Sequence, residues 1–230
     1  RHPWWTLIRT VSAVITGVSA FYAFSVLPMA ETYAIIFASP LLITLLAIPI
    51  LGEQVGVRRG AAILVGLIGV LIVLRPGGAT FGLGHAAALA AAVCSSLASV
   101  IVRKIGQEER SVVLLLYPML ANFAVMACAL PFVYKPMPLE HLAMVGVIAM
   151  FGFVAMLCII GAYRSGEAVI VAPMQYSQMI WAAIYGFLIF GERPDTMTLI
   201  GASVIIASGI YIVLREGRSN ASANNPVLQT

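Results

Sequence analysis

The chain has 230 residues, 61% of them hydrophobic and only 10% charged, with a net charge of +4. A soluble domain carries about 25% charged residues, so a water-soluble fold is excluded and lipid is the solvent for most of the chain. The positive charge comes without a basic stripe interleaved with aromatics, which excludes a nucleic-acid partner.

Eight apolar runs follow one another, each read as a helix because a crossing takes about 20 apolar residues and no strand-like alternation is present. The first, Leu7–Leu27, carries a polar stripe of Ser12, Thr16, Ser19 and Tyr22. Such a stripe serves either close helix packing or a cavity wall, and Tyr22 is its candidate for binding solute. Glu31 sits in the turn before the second run, Thr32–Leu51, which holds Tyr33, Pro40 and Thr44. A proline inside a helix removes a hydrogen bond and clashes with the carbonyl four residues back. Freed carbonyls are tolerated in a membrane only against protein or a wet cavity, so Pro40 marks a cavity-lining helix. The third run, Ala61–Leu74, is short and has to borrow from Gly56–Gly60. Gly84–Val102 holds a small polar patch of Ser95, Ser96 and Ser99. Val112–Tyr134 holds Asn122, read as interhelical glue, and Leu142–Ala162 is plainly apolar.

The seventh run, Val169–Phe190, follows Glu167 and contains Pro173. Gln175, Gln178, Trp181, Ala182 and Tyr185 fall on one of its faces at helical spacing. That face suits either a cavity for a polar, partly aromatic solute or interhelical hydrogen bonding with an aromatic belt. The last run is Met197–Leu214, followed by a polar tail over 216–230 that is expected to be disordered.

All acidic residues of interest lie near run ends. Glu31 and Glu167 are candidates for gating or coupling; the alternative is a carboxylate favoured by the dipole of a helix N-terminus. Cys94, Cys128 and Cys158 sit in apolar runs and are expected to pack as small hydrophobes, without a disulfide or metal site. His2, His85 and His141 fall near interfaces, so Ser203 has no intramembrane histidine partner. There is no GxxxxGK[ST] and no HExxH. An enzyme is therefore disfavoured, and no cofactor or metal is expected.

With eight crossings, Arg1, Arg9, Arg58, Arg59, Arg103, Lys104, Arg110, Arg164, Arg215 and Arg218 fall on one side and Arg75, Lys135 and Arg193 on the other. Basic residues favour the cytoplasm, which puts both chain ends inside. The phrase "GVLIVLR" at 69–75 recurs as "GIYIVLR" at 209–215, and "ILGE" ending at Glu53 recurs as "IFGE" ending at Glu192. Five crossings separate the two Gly-Glu loops, so the copies face opposite sides, as in the inverted repeats of secondary transporters.

"FYAFSVLPMAETYAIIFASPLLITLLAIPILGEQVGVRR" followed by "GLIGVLIVLRPG", and "GAYRSGEAVIVAP" followed by "FGE" and "GIYIVLR", resemble the EamA-type permeases of the drug/metabolite transporter superfamily. The resemblance implies an all-α polytopic membrane protein. Its ten helices form two inverted five-helix repeats, of which eight are visible here. Residues 1–75 would be the last three helices of the first repeat and 76–215 the second repeat, and the chain, opening on Arg1, would be an N-terminally truncated piece. It further implies a secondary transporter in the bacterial inner membrane, moving an amino acid, vitamin, nucleoside-like metabolite or drug by alternating access. Tyr22, Tyr33, Ser95, Ser99, Gln175, Gln178, Trp181 and Tyr185 would surround a midplane cavity, and Glu31, Pro40, Glu167 and Pro173 would gate or couple. Partners are the solute and membrane lipid, with a homodimer left open. The alternative is a membrane scaffold that transports nothing.

Overall fold

The computed structural model describes residues 2–52, 56–75, 81–106, 108–134, 136, 138–165 and 177–223, all of them helix or short connection. In chain order the helices are α1 (Pro3–Val26), α2 (Met29–Ile36), α3 (Ser39–Leu51), α4 (Val57–Leu74), α5 (Leu83–Ile105), α6 (Ser111–Val133), α7 (Leu139–Ser165), α8 (Ser177–Phe190) and α9 (Thr196–Ala223). Eight crossings were expected. Among the described residues, four helices are both long and apolar enough to cross: Pro3–Val26, Met29–Leu51, Leu83–Ile105 and Val112–Phe132. Gly60–Leu74, Leu139–Ala155, Ser177–Phe190 and Thr196–Ile212 are apolar but shorter.

The helix ends follow local chemistry. Leu27 is extended ahead of Pro28, as a residue before proline must be, and α2 begins directly after. The glycines of both Gly-Glu loops are left-handed, Gly52 at φ 72° and Gly191 at φ 65°. Each donates its N–H back into the preceding helix, Gly52 to Ile48 O (3.1 Å) and Gly191 to Phe187 O (3.2 Å). A side chain is strained at such φ values, which accounts for a glycine in both copies. Arg75 adopts the same region at the end of α4 without being glycine (φ 43°), and its guanidinium is ion-paired with Asp195.

Small residues recur through the core and let the helices approach closely. Ala23, Ala34, Ala38, Ala47, Ala88, Ala91, Ala92 and Ser96 are buried, interleaved with large aliphatics such as Ile35, Leu41, Ile101 and Ile205. Lipid is as apolar as leucine, so helices associate in it by close backbone approach. The most extensive contacts are α1 on α5 and α4 on α9. The helices bearing the two copies of the repeated phrase therefore pack on each other. They run antiparallel, because Arg75 meets Asp195 at one end while Gly66 meets Ser208 farther along. At the crossing, a Cβ on Gly69 would stand 2.9 Å from Gly201 O, and one on Gly201 2.6 Å from Gly69 O. By contrast, every side chain of α7 from Leu139 to Ala155 is exposed.

The cysteines correct one expectation. Cys94 is half-buried, but Cys128 and Cys158 point outward. An apolar thiol loses nothing by facing lipid, so helical apolar context did not imply burial.

Candidate functional site

The second expected span is one span by length but two helices by structure. α2 ends at Ile36 and α3 begins at Ser39, with Phe37 and Ala38 between them. Pro40 was expected inside a continuous, kinked helix; it stands instead in the first turn of α3, where its missing N–H costs least. A continuous helix would have asked Pro40 for an N–H to Ile36 O. Ser39 supplies the donor in its place, its Oγ–H going to Ile36 O.

α5 closes the break from the side. Ser96, fully buried, aims its hydroxyl at Ser39 O (3.1 Å) and at Ala92 O (2.6 Å). Ser95 Oγ lies 3.2 Å from Ser39 Oγ and 3.0 Å from Ala92 O, and its one proton serves one or the other. Two serines thus meet a discontinuity in a neighbouring helix and hydrogen-bond its Ser39 carbonyl and hydroxyl groups.

The beginning of α2 is held by two carboxylates. Glu192, just past α8, accepts the Met29 N–H at 2.8 Å. It reaches there by folding over Gly186, where a Cβ would come within 2.8 Å of its Oε2. Glu31, in the first turn of α2, takes a 2.7 Å hydrogen bond from His85 Nε2 on α5. Negative charge at a helix N-terminus is favourable. His85, expected near an interface, stands in the first turn of α5, and its side chain is 5% exposed. At the opposite end of the bundle, Lys104 Nζ donates to Ile50 O at 2.8 Å and lies 4.5 Å from the Trp5 ring, joining α5, α3 and α1.

The remaining candidates fall around this frame. Tyr33 is half-buried on α2 between Phe24 (ring centroids 5.1 Å apart) and Phe37 (6.0 Å). α8 packs on α2 and buries Met179, Ala182 and Gly186. Ala182, expected on the polar face, therefore belongs to the packed face beside it. Gln178, Trp181 and Tyr185 are exposed, the two rings stacked at 5.9 Å. Tyr22 and Ser99 are exposed on α1 and α5. Glu167, Pro173 and Gln175 lie outside the described residues. The structure thus brings Ser95 to the α2–α3 break and Glu31 to His85; among the described residues, the ring contacts of Trp181 and Tyr185 are with each other and those of Tyr33 with Phe24 and Phe37. Asn122 Nδ2 bonds Pro118 O in its own helix (3.2 Å), and its Oδ1 lies where a Cβ on Gly17 would be. Sequence reasoning missed His85, Ser39 and Glu192's reach to α2. Crossing parity already puts His85 and Glu31 at the same end of the bundle, and Ser39 immediately precedes the proline.

Residues 82–215 match the family model described as the EamA-like transporter family. The chain is similar to an S-adenosylmethionine uptake transporter of Rickettsia bellii, 25% identical over 218 residues, covering 95% of this chain and 75% of that protein. It is similar to a riboflavin transporter of Rhizobium johnstonii, 29% identical over 228 residues, covering 95% and 72%. It is similar too to a pseudopaline exporter of Pseudomonas aeruginosa, 24% identical over 211 residues, covering 90% and 73%. One solved crystal structure shares the fold at a TM-score of 0.55 and 23% identity, covering 93% of this chain and 78% of that one.

Proposed function

The chain belongs to the EamA-like transporter family, whose matched members are transporters and not enzymes, and we propose that it carries a small organic solute across the bacterial inner membrane by alternating access. In this reading the four long apolar helices and the four shorter ones all cross. The Lys104 end faces the cytoplasm, as the distribution of basic residues favours, and the C-terminus lies there too. Residues 1–75 and 76–215 are the two halves that rock against each other.

The observation that carries the reading is the α2–α3 break. Discontinuous helices at membrane depth supply exposed backbone groups to solutes in secondary transporters, and irregular backbone survives there only beside protein or a wet cavity. Ser95 and Ser96 already answer the break from α5. In this reading Tyr33, Ser99 and Tyr22 would extend the surface, and Gln178, Trp181 and Tyr185 on α8 would bring amide and ring chemistry. Together they suit a planar, partly aromatic metabolite with a polar tail.

The test is uptake into proteoliposomes with radiolabelled S-adenosylmethionine and riboflavin as first probes, followed by a panel of amino acids and nucleosides. Saturable uptake of one compound, displaced by its unlabelled form, is the expected result. A folded preparation that moves none of them ends the transporter reading. For the compound that is carried, Gln178→Ala and Trp181→Ala should each lower uptake about three- to tenfold, the loss of one hydrogen bond or one stacking partner. Folded yield should hold, since Trp181 is 53% exposed. Unchanged uptake at equal protein would remove both residues from the site.

A further inference from the structure

A half-open cleft lies between α1 and α6 at the end of the bundle where both helices begin. It has two parts that share Glu109 and Val113. The inner part, about 530 Å³, runs along Thr6, Leu7 and Thr10 of α1 and Val113 and Tyr117 of α6. The outer part, about 540 Å³, is bounded by Glu108, Glu109 and Arg110 in the turn ahead of α6. Beyond the inner part, the exposed side chains of Leu116 and Leu120 continue the apolar surface along α6. Trp4 is exposed beside the mouth, and Trp5 carries Lys104 over its ring. Tryptophan and basic side chains gather at the membrane boundary. The charged part of the cleft therefore stands at headgroup level and the inner part among acyl chains.

The hydrogen-bonding groups of the cleft are mostly acceptors. Thr6 Oγ1 donates to His2 O (3.1 Å) and Thr10 Oγ1 to Thr6 O (2.8 Å). Each hydroxyl has spent its proton on its own helix and offers the cleft lone pairs. His2 fixes both carboxylates at the mouth. Its backbone N–H donates to Glu109 Oε1 at 2.6 Å, and its Nε2 lies 2.6 Å from Glu108 Oε2. A carboxylate has about four acceptor sites, so these bonds position the two groups without exhausting them. Arg110 is the one cation among the described residues that line the outer part.

We propose that this cleft holds one ethanolamine phospholipid of the surrounding leaflet. Its ammonium group sits on Glu108 and Glu109 and its phosphate faces Arg110. One acyl chain lies along Leu7, Val113 and Leu120. An ethanolamine ammonium has three N–H groups for the two carboxylates, and charge-assisted hydrogen bonds of this kind are the strong ones. A phosphocholine cation has no N–H to donate. A phosphoglycerol headgroup has no cation at all and would bring its phosphate against two carboxylates. Basic residues near a membrane surface attract anionic lipid in general, and Arg103, Lys104 and Arg110 share this end of the bundle. The preference of the cleft thus runs opposite to that of the surface around it. The lipid site does not rest on the transport reading above; only its assignment to the cytoplasmic leaflet does.

Native mass spectrometry of the whole chain in detergent needs no transported solute. The protein is titrated with dioleoyl phosphatidylethanolamine, phosphatidylcholine and phosphatidylglycerol in parallel. The first ethanolamine adduct should form with an affinity about tenfold above that of the other two lipids, the worth of one charge-assisted hydrogen bond. Later adducts should show no such preference. The double variant Glu108→Gln, Glu109→Gln should bring ethanolamine down to the level of choline. Glu140→Gln, which makes the same kind of charge change at the start of α7, should leave the preference intact. Glu108→Gln alone alters a side chain that is 60% exposed. It should lower the preference about threefold, and it decides the matter if the double variant does not fold. Equal affinity for the three lipids overturns the site. So does an ethanolamine preference that survives in the Glu108 variants, or one that Glu140→Gln abolishes as well.

Discussion

Pro40→Ala should lower transport about tenfold or more while leaving the protein as stable as before, or more so. Alanine returns the N–H that Ile36 O lacks and removes the ring that excludes a continuous helix over 29–51. Ser39 then loses its task at Ile36 O and keeps Ser95 as a neighbour. A healed helix gains regular hydrogen bonds and loses the boundary between α2 and α3, with the serine-bonded carbonyls that mark it. Hinge changes of this kind alter rate and apparent affinity together. Initial uptake rates per folded protein, read beside the unfolding temperature in detergent, separate the two effects. Full uptake by a variant with a continuous helix would remove the break from the mechanism.

Gly201→Val should unfold the protein rather than slow it. A Cβ at 201 would come within 2.5 Å of Val73 Cγ2 and 2.6 Å of Gly69 O. The carbonyl is backbone and cannot rotate away, so α4 and α9 must separate. Overpacking costs about 1–3 kcal/mol where side chains can adjust, and this contact belongs at or above the top of that range. The readout is the fraction remaining monodisperse after graded heating. Gly146→Ala and Gly152→Ala are the internal comparison. A Cβ there meets nothing within 4 Å, so each should be neutral or stabilise by up to about 1 kcal/mol through helix propensity. A Gly201→Val protein as heat-resistant as those two would show that the α4–α9 contact tolerates separation.

The elements were legible because hydropathy speaks for each helix separately. The runs at Leu7–Leu27, Gly84–Val102 and Val112–Tyr134 lie within α1, α5 and α6 to within a residue at their ends. What composition could not give was the side each residue faces. Cys128 and Cys158 read as core and face outward, because in lipid apolar character no longer distinguishes inside from outside. Ala182 read as part of a polar face because periodicity places residues on an arc of the helix and leaves the packed direction open; Met179 and Gly186 fix it on α2. Pro40 announced a disturbance but not its form, since a kink and a two-residue turn between helices use the same residue. His85 was passed over because an interface assignment says nothing about burial, and only α5 pressed against α1 through Gly84 makes the ring inaccessible.

The short first half of the broken span has a mechanical consequence. α2 has eight residues, which makes a lever arm about 12 Å long at the helical rise. A tilt of roughly 20° about Phe37–Ala38 would carry the Met29 tip through about 4 Å, close to the 3.5–4.0 Å spacing of carbon atoms in contact. An aperture opened by such a tilt would be a slit about one aromatic ring thick. Under the transport reading proposed above, such a slit would sort cargo by thickness before it sorts by chemistry. It would admit flat molecules of considerable length edge-on and turn away compact, globular ones of the same mass.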